Sequence, residues 1–339
     1  MEYKIGLIGK GNVGTSFLQL LGETKQEIKE ILNVDCKLVA LFEIDGALID
    51  NEGLDLYNLL ENYSDLKGSS YWKPNVKAQD MISKLDLDLC IETTPTKPDD
   101  GEPSLTHIMK ALSNGIDVIS SNKAPFYLKY DSIKELATKM GCFIRYEATV
   151  GCSIPALSIK ENLKGNKVIS IKAILNGTNN YILSRMTAEG ISFSVALKEA
   201  QELGYAEANP SLDIDGYDAA GKLVILANEL LDQSYTIKDV KIEGISKITP
   251  QAIELAKLDG YVIKHLAIVE GNSIIVEPRL IKKDSPLNVD GTLNLIELNT
   301  KYAGSILLIG KGAGGIEAAS AILNDLFYIL KERKKLNNN

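Results

Sequence analysis

A doubly wound, mostly parallel α/β sheet followed by a second α+β domain is predicted by three observations. Apolar strand-like runs alternate with helical patterns over the first 150 residues, the rhythm of a parallel sheet with helical crossovers. A glycine-rich G-x-G-x-x-G stands where the first strand hands over to the first helix. After about residue 150 the rhythm gives way to long helical stretches and to adjacent strands with a short turn, which pair antiparallel.

Residues 3–9 are a short apolar run ending in glycine, and the helical pattern behind them carries Val13, Phe17, Leu20 and Leu21. Further strands are expected at 37–42, 88–92, 117–120 and 142–146. Helices are expected over 103–114 and 131–140, with Ser104 and Asp131 as start signals and Gly115 and Gly141 as stops. The second half begins with a strand over 168–175 and continues with helices over 179–203 and 215–231. Strands follow at 262–269, 273–281 and 305–309, the first two joined by a tight Glu270-Gly271-Asn272 turn. The closing segment is a small-residue turn and an apolar helix. Domains are therefore expected at 1–150 and 151–310, with 311–330 folding back on the first.

A chain of 339 residues exceeds the size at which one core stops growing, so two domains are natural. Its net charge of −8 would repel a phosphate backbone or an anionic membrane at long range, which leaves small-molecule chemistry. Neither a cationic leader nor a membrane-length apolar run is read, and the cytoplasm is the expected location. Cys36, Cys90, Cys142 and Cys152 are scattered, with neither disulfide-framework nor zinc spacing.

In Gly9-Lys10-Gly11-Asn12-Val13-Gly14 the glycines permit a tight turn and close approach to a pyrophosphate, met by amides at a helix N-terminus. Gly9, Gly11, Asn12, Val13 and Gly14 are thus expected to bind a dinucleotide in a Rossmann-type domain. Glu43, closing the second strand, is placed to accept hydrogen bonds from the adenosine ribose and to repel a 2′-phosphate. That favours NAD, with NADP as the alternative. Thr93-Thr94-Pro95 ends a parallel strand and is expected at the nicotinamide end. Gly310 to Gly315 is a second glycine-rich run, read as a tight helix entry rather than a second nucleotide site.

Four further segments resemble the homoserine dehydrogenase family, in that family's order: Ser121-Asn122-Lys123-Ala124; Glu147-Ala148-Thr149-Val150-Gly151 with Ser153-Ile154-Pro155; Asn176-Gly177-Thr178-Asn179-Asn180-Tyr181-Ile182-Leu183; and Gly204-Tyr205-Ala206-Glu207-Ala208-Asn209-Pro210, continued from Asp213 to Leu223. The turn at Gly312 to Gly315 with Ala319-Ser320-Ala321 is similar to the family's closing turn. The resemblance runs from residue 5 to about 326 and leaves no room for a fused kinase or regulatory extension. It departs from the family at Asn209, where an acid is usual, at Cys152, where glycine or alanine is usual, and at Glu317 and Ala318.

The resemblance implies NAD(P)-dependent interconversion of L-homoserine and L-aspartate 4-semialdehyde, in threonine and methionine biosynthesis, by a homodimer. It makes 151–310 the substrate, catalytic and dimerisation domain, and it adds Asn122, Lys123 and Gly314 to the cofactor site. Gly204, Tyr205, Glu207 and Asp213 are implied for the substrate, the two acids for its ammonium and Lys123 for its carboxylate or reacting oxygen. A monovalent cation is implied near Glu147, with carbonyls from Val150 onward. For proton transfer, His107 and His265 lie in a helix and a strand pattern and read as structural. Asp218 and Lys222 share one helical face. The bland reading is a surface ion pair. Small Ala219, Ala220 and Gly221 cannot shield the pair, and with the resemblance this makes Lys222 the proton donor and Asp218 its partner, Lys123 being the rival base.

Two alternatives belong to other classes. A phosphorylating semialdehyde dehydrogenase would use Cys152 as nucleophile, activated at the start of a helix over 153–163. A sensor would keep the dinucleotide fold without catalysis.

Overall fold

The computed structural model describes residues 1–61 and 66–337 and divides into two compact units, 1–149 with 314–339, and 150–313. In the first unit β1 (Glu2–Ile8) leads into α1 (Asn12–Leu32), then β2 (Asp35–Glu43) and β3 (Gly46–Ile49). After α2 (Leu56–Glu61) come β4 (Trp72–Pro74), α3 (Ala78–Met81), β5 (Leu89–Glu92), α4 (Ser104–Ser113) and β6 (Asp117–Ser120). The unit's sheet is finished by α5 (Ala124–Leu128), α6 (Tyr130–Met140) and β7 (Ile144–Arg145). Strand order is β4-β3-β2-β1-β5-β6-β7, with β2, β1, β5, β6 and β7 parallel, so the switch point lies between β1 and β5. Every residue of β5 and β6 is buried, as a strand covered on both faces requires.

The C-terminal helix (Gly315–Asn337) belongs to this unit and packs along α1. Two buried aspartates hold it. Asp117 on β6 accepts from Arg333 Nε at 2.8 Å and from the Tyr3 hydroxyl at 2.7 Å. Asp325, on the helix itself, accepts from Arg145 Nε at 3.0 Å and the Glu147 amide at 2.9 Å.

The second unit holds α7 (Ile159–Asn162), β8 (Val168–Ile174), α8 (Gly177–Glu189), α9 (Phe193–Glu202), α10 (Ser211–Ile214) and α11 (Tyr217–Leu231). Then follow β9 (Lys241–Ile242), α12 (Pro250–Leu258), β10 (Tyr261–Glu270), β11 (Ser273–Lys282), β12 (Leu293–Thr300) and β13 (Gly304–Lys311). Its sheet runs β13-β12-β8-β10-β11-β9, mostly antiparallel.

Several expectations are corrected. Strands β3 and β4 extend the first sheet antiparallel; β3 follows β2 through a two-residue Ile44-Asp45 turn that carries no Asn-Gly signal, and β4 pairs with β3 after α2. Ser104 does not cap α4; its hydroxyl is buried on Glu92. The helix expected over 153–163 is only the short α7, with turns at 152–153, and Cys152 has φ 42°. The single helix over 179–203 is two, because Gly190 takes φ 68° to end α8 and Ser192 caps α9.

No atom lies within 4 Å of a Cβ built on Gly190, so its requirement is purely conformational. Gly190→Ala should cost about 1–2 kcal/mol of stability, the penalty of a left-handed L residue, read as an earlier midpoint in urea.

Candidate active site

In the first unit, a candidate dinucleotide cradle is built at the end of β1. Gly9 has φ 93° and its amide donates to the Phe42 carbonyl at 2.9 Å, so the turn closes tightly over β2. A Cβ on Gly14 would lie 2.1 Å from the Gly9 carbonyl oxygen, whereas one on Gly11 would meet nothing within 4 Å. Gly14 is a packing requirement; Gly11 opens room for a ligand. Asn12 and Val13 begin α1, whose first turn has no side-chain cap and no acid, leaving its amides for an anion.

Glu43 ends β2, and its Oε1 is buried with no hydrogen-bond partner among the described residues. Burial pushes its carboxyl above the ordinary range, while the Lys10 amide and ammonium pull it back. An orphaned carboxylate oxygen beside a phosphate cradle suits the paired hydroxyls of a ribose. The residues present therefore fit a dinucleotide.

At the end of β5 the Thr93 hydroxyl is shared between the Ile8 and Gly9 carbonyls, at 2.9 and 2.8 Å, stapling this loop to the glycine turn. The Asn122 carboxamide donates to the carbonyls of Thr94 and Pro95, at 3.1 and 3.2 Å, and accepts from the Ala124 amide. Expected as a cofactor ligand, Asn122 is buried and its side chain is engaged in holding the loop. Lys123 follows it, half-buried, at the carboxyl end of β6. At the start of the C-terminal helix a Cβ on Gly315 would come within 3.2 Å of the Asn12 carbonyl oxygen, so this turn packs against the start of α1; a Cβ on the preceding Gly314 would meet the Glu317 carboxylate.

In the second unit, a buried charged network stands on α11. Lys222 is 8 % exposed. Its Nζ lies 2.8 Å from Asp218 Oδ2 and donates to the Leu175 carbonyl at 2.8 Å. Asn176 Nδ2 bridges Asp218 Oδ2, at 3.0 Å, and Asp213 Oδ1, at 2.7 Å. The same side chain caps α8 through its Oδ1. Asn176 and the Leu175 carbonyl were not foreseen as site groups, although an Asn before a helix is a capping signal.

Gly204 ends α9 with φ 75°, and Tyr205 follows it, half-open to solvent and tilted on Tyr181 with ring centroids 4.9 Å apart. The Tyr205 carbonyl accepts from Thr178 Oγ1 at 2.7 Å. Glu207 is exposed on the same loop. The structure thus brings Asp213, Asp218 and Lys222 into one network and leaves the side chain of Glu207 outside it.

The histidines are structural. His265 is buried between the Asn179 carboxamide and the Glu243 carbonyl, both at 2.9 Å from its ring, and burial lowers its pKa. His107 lies buried within α4. Cys152 is half-buried in a turn and forms no disulfide. Glu147 is buried in the 3-10 turn Glu147–Thr149, and Val150 is buried as well. Among the described residues no cluster of three or more His, Cys, Asp or Glu could hold a metal ion, so a cation near Glu147 would depend on backbone carbonyls. No described helix is long and apolar enough to cross a membrane.

Residues 9–147 match a family model described as "Homoserine dehydrogenase, NAD binding domain", and residues 154–327 match one described as "Homoserine dehydrogenase". A homoserine dehydrogenase of Methanocaldococcus jannaschii is 43 % identical over 333 residues, covering 97 % of this chain and 99 % of the relative. A crystal structure of a putative homoserine dehydrogenase from Archaeoglobus fulgidus superposes with a TM-score of 0.89 at 36 % identity, covering 97 % of this chain and 99 % of that one. A hyperthermophilic archaeal homoserine dehydrogenase in complex with NADPH superposes with a TM-score of 0.85 at 25 % identity, covering 98 % of each chain.

Gly14→Ala should force the Gly9 carbonyl out of place and weaken NADH or NADPH binding at least about tenfold, or ~1.4 kcal/mol. Titration by nicotinamide fluorescence reads this.

Proposed function

The chain belongs to the homoserine dehydrogenase family, and from that premise we propose how its own residues divide the reaction. The enzyme is an NAD(P)-dependent oxidoreductase interconverting L-homoserine and L-aspartate 4-semialdehyde. The bound nicotinamide supplies or accepts the hydride at the substrate's C4.

Lys222 handles the matching proton. In reduction it donates an N–H to the aldehyde oxygen as that oxygen gains negative charge; in oxidation it takes the hydroxyl proton back. One observation carries this assignment. Of the three donors on its ammonium, Asp218 and the Leu175 carbonyl account for two among the described residues, leaving one for a substrate oxygen. Asp218 holds the ammonium in register, and Asn176 keeps that carboxylate from turning away.

Asp213 and Glu207 supply negative charge for the substrate ammonium, and Lys123 supplies positive charge for its carboxylate. Gly204 and Tyr205 shape the loop around it. Gly9, Gly11, Asn12, Val13 and Gly14 cradle the pyrophosphate, Glu43 takes the adenosine ribose, and Thr93, Thr94 and Pro95 form the nicotinamide floor, with Asn122 behind it. Gly314 completes the cradle. A monovalent cation at Glu147 and the Val150 carbonyl, and a homodimer in the cytoplasm, complete the proposal.

Lys222→Ala should lower turnover with aspartate semialdehyde by about a hundred to ten thousand fold while leaving cofactor affinity unchanged. Asp218→Asn should be milder. Near-normal turnover in folded Lys222→Ala would move the proton role to Lys123. NAD should bind more tightly than NADP, because Glu43 has a carboxylate oxygen without a partner among the described residues that could accept from a ribose hydroxyl. Tighter NADP binding in the wild type, with an unchanged ratio in Glu43→Ala, would remove Glu43 from the cofactor site.

A further inference from the structure

Glu92, the last residue of β5, is a fully buried carboxylate that the reaction does not touch. A carboxylate out of contact with water needs donors on its oxygens. Ser104 Oγ donates to Oε2 at 2.6 Å, the Thr94 hydroxyl donates to Oε1, and the Thr94 amide reaches Oε1 at 3.3 Å. His107 Nδ1 lies 3.5 Å from the same oxygen.

The Thr94 carbonyl is meanwhile held by Asn122. Amide, hydroxyl and carbonyl of this one residue are all engaged inside the protein, the first two on Glu92 and the third on Asn122. Its neighbour Thr93 is stapled to the glycine turn through the Ile8 and Gly9 carbonyls. We infer that Glu92 is a positioning residue: with Asn122 it clamps Thr94 and Pro95 as a rigid surface that fixes the depth and tilt of the nicotinamide. This rests on the assignment of Thr93, Thr94 and Pro95 to the nicotinamide end of the cofactor.

The physical case is that hydride transfer is acutely sensitive to distance, a displacement of about 1 Å costing on the order of a hundredfold. The loop has no helix or strand of its own to hold it. A hydroxyl donating to a buried carboxylate is a short, charge-assisted bond and resists that displacement. Ser104 ties the other carboxylate oxygen to the first turn of α4, so Glu92 cannot follow the loop if the loop shifts.

The test compares Thr94→Val, which keeps the shape and loses the donor, with Thr94→Ser, which keeps the donor, and adds Glu92→Gln. Turnover, KM for aspartate semialdehyde, the thermal midpoint, and the primary isotope effect with cofactor deuterated at the transferring position are measured on each. Thr94→Val and Glu92→Gln should lose about tenfold to a hundredfold in turnover. They should show a raised isotope effect and an unchanged KM for aspartate semialdehyde, and Thr94→Ser should recover most of the rate. Variants with lower midpoints but normal turnover and isotope effect when folded would make Glu92 purely structural and overturn the inference. If Glu92→Gln does not fold, the Thr94 pair decides alone. A wild type that reduces aspartate semialdehyde with neither NADH nor NADPH would overturn the functional reading itself; an active wild type with unaffected variants would overturn only the clamp.

Discussion

Taking the Lys222 ammonium out of water is unfavourable by several kcal/mol unless a counter-charge and hydrogen-bond acceptors are fixed around it. Much of the second unit can be traced to that condition. Asp218 supplies the charge one helical turn earlier, at 2.8 Å. The neutral acceptor is the Leu175 carbonyl, available because β8 ends at Ile174 and the sheet ladder makes no further claim on it. Ala219, Ala220 and Gly221, all buried between the two charged residues, let α11 lie close to the strand. Gly216 admits the chain to that helix with φ 91°, where a Cβ would meet Ile242 and His265 at 3.0 and 3.1 Å.

Four acids of the first unit, Glu43, Glu92, Asp117 and Asp325, differ in what holds them. Asp117 and Asp325 are paired with Arg333 and Arg145, which fastens the C-terminal helix. Glu92 is saturated by hydroxyls and an amide, so it can hold a loop but has little capacity left for a ligand. Glu43 alone among these four retains a buried oxygen without a partner. Unspent hydrogen-bonding capacity, rather than charge or burial, marks the acid suited to binding.

The parallel half was legible because apolar runs such as β1 alternate with helical patterns, and α6 ends at Gly141 with φ 65°. Strands β3 and β4 were not, being short; the turn from β2 into β3 has no glycine at its centre, and β4 follows only after α2. In the second unit the strands of the hairpin joined at Gly271 could be read from their apolar runs, but β12, carrying Asn294 and Glu297 among its apolar residues, gives no clear strand pattern. At the candidate site, the shared face of Asp218 and Lys222 was legible from helical spacing, and the role proposed for them came with the resemblance. The Leu175 carbonyl carries no side-chain signal at all, and Asn176 signals a cap before it signals a bridge between two acids. Such groups are defined by three-dimensional neighbours that no local pattern encodes.

The two glycine-rich runs make the same point from similar sequences. In the first, the middle glycine faces open space, where a ligand backbone could approach. The second is filled by the protein itself. A Cβ on Gly312 would lie 2.0 Å from the Asn294 carboxamide, one on Gly314 would lie 2.0 Å from the Glu317 carboxylate, and Gly315 rests against Ser16 and Asn12 of α1. Each glycine there is demanded by a different neighbour as the chain leaves one unit and begins the helix of the other. Glycine spacing alone would rank the runs as equals; what a Cβ would strike separates a cradle for a phosphate from a passage for the chain.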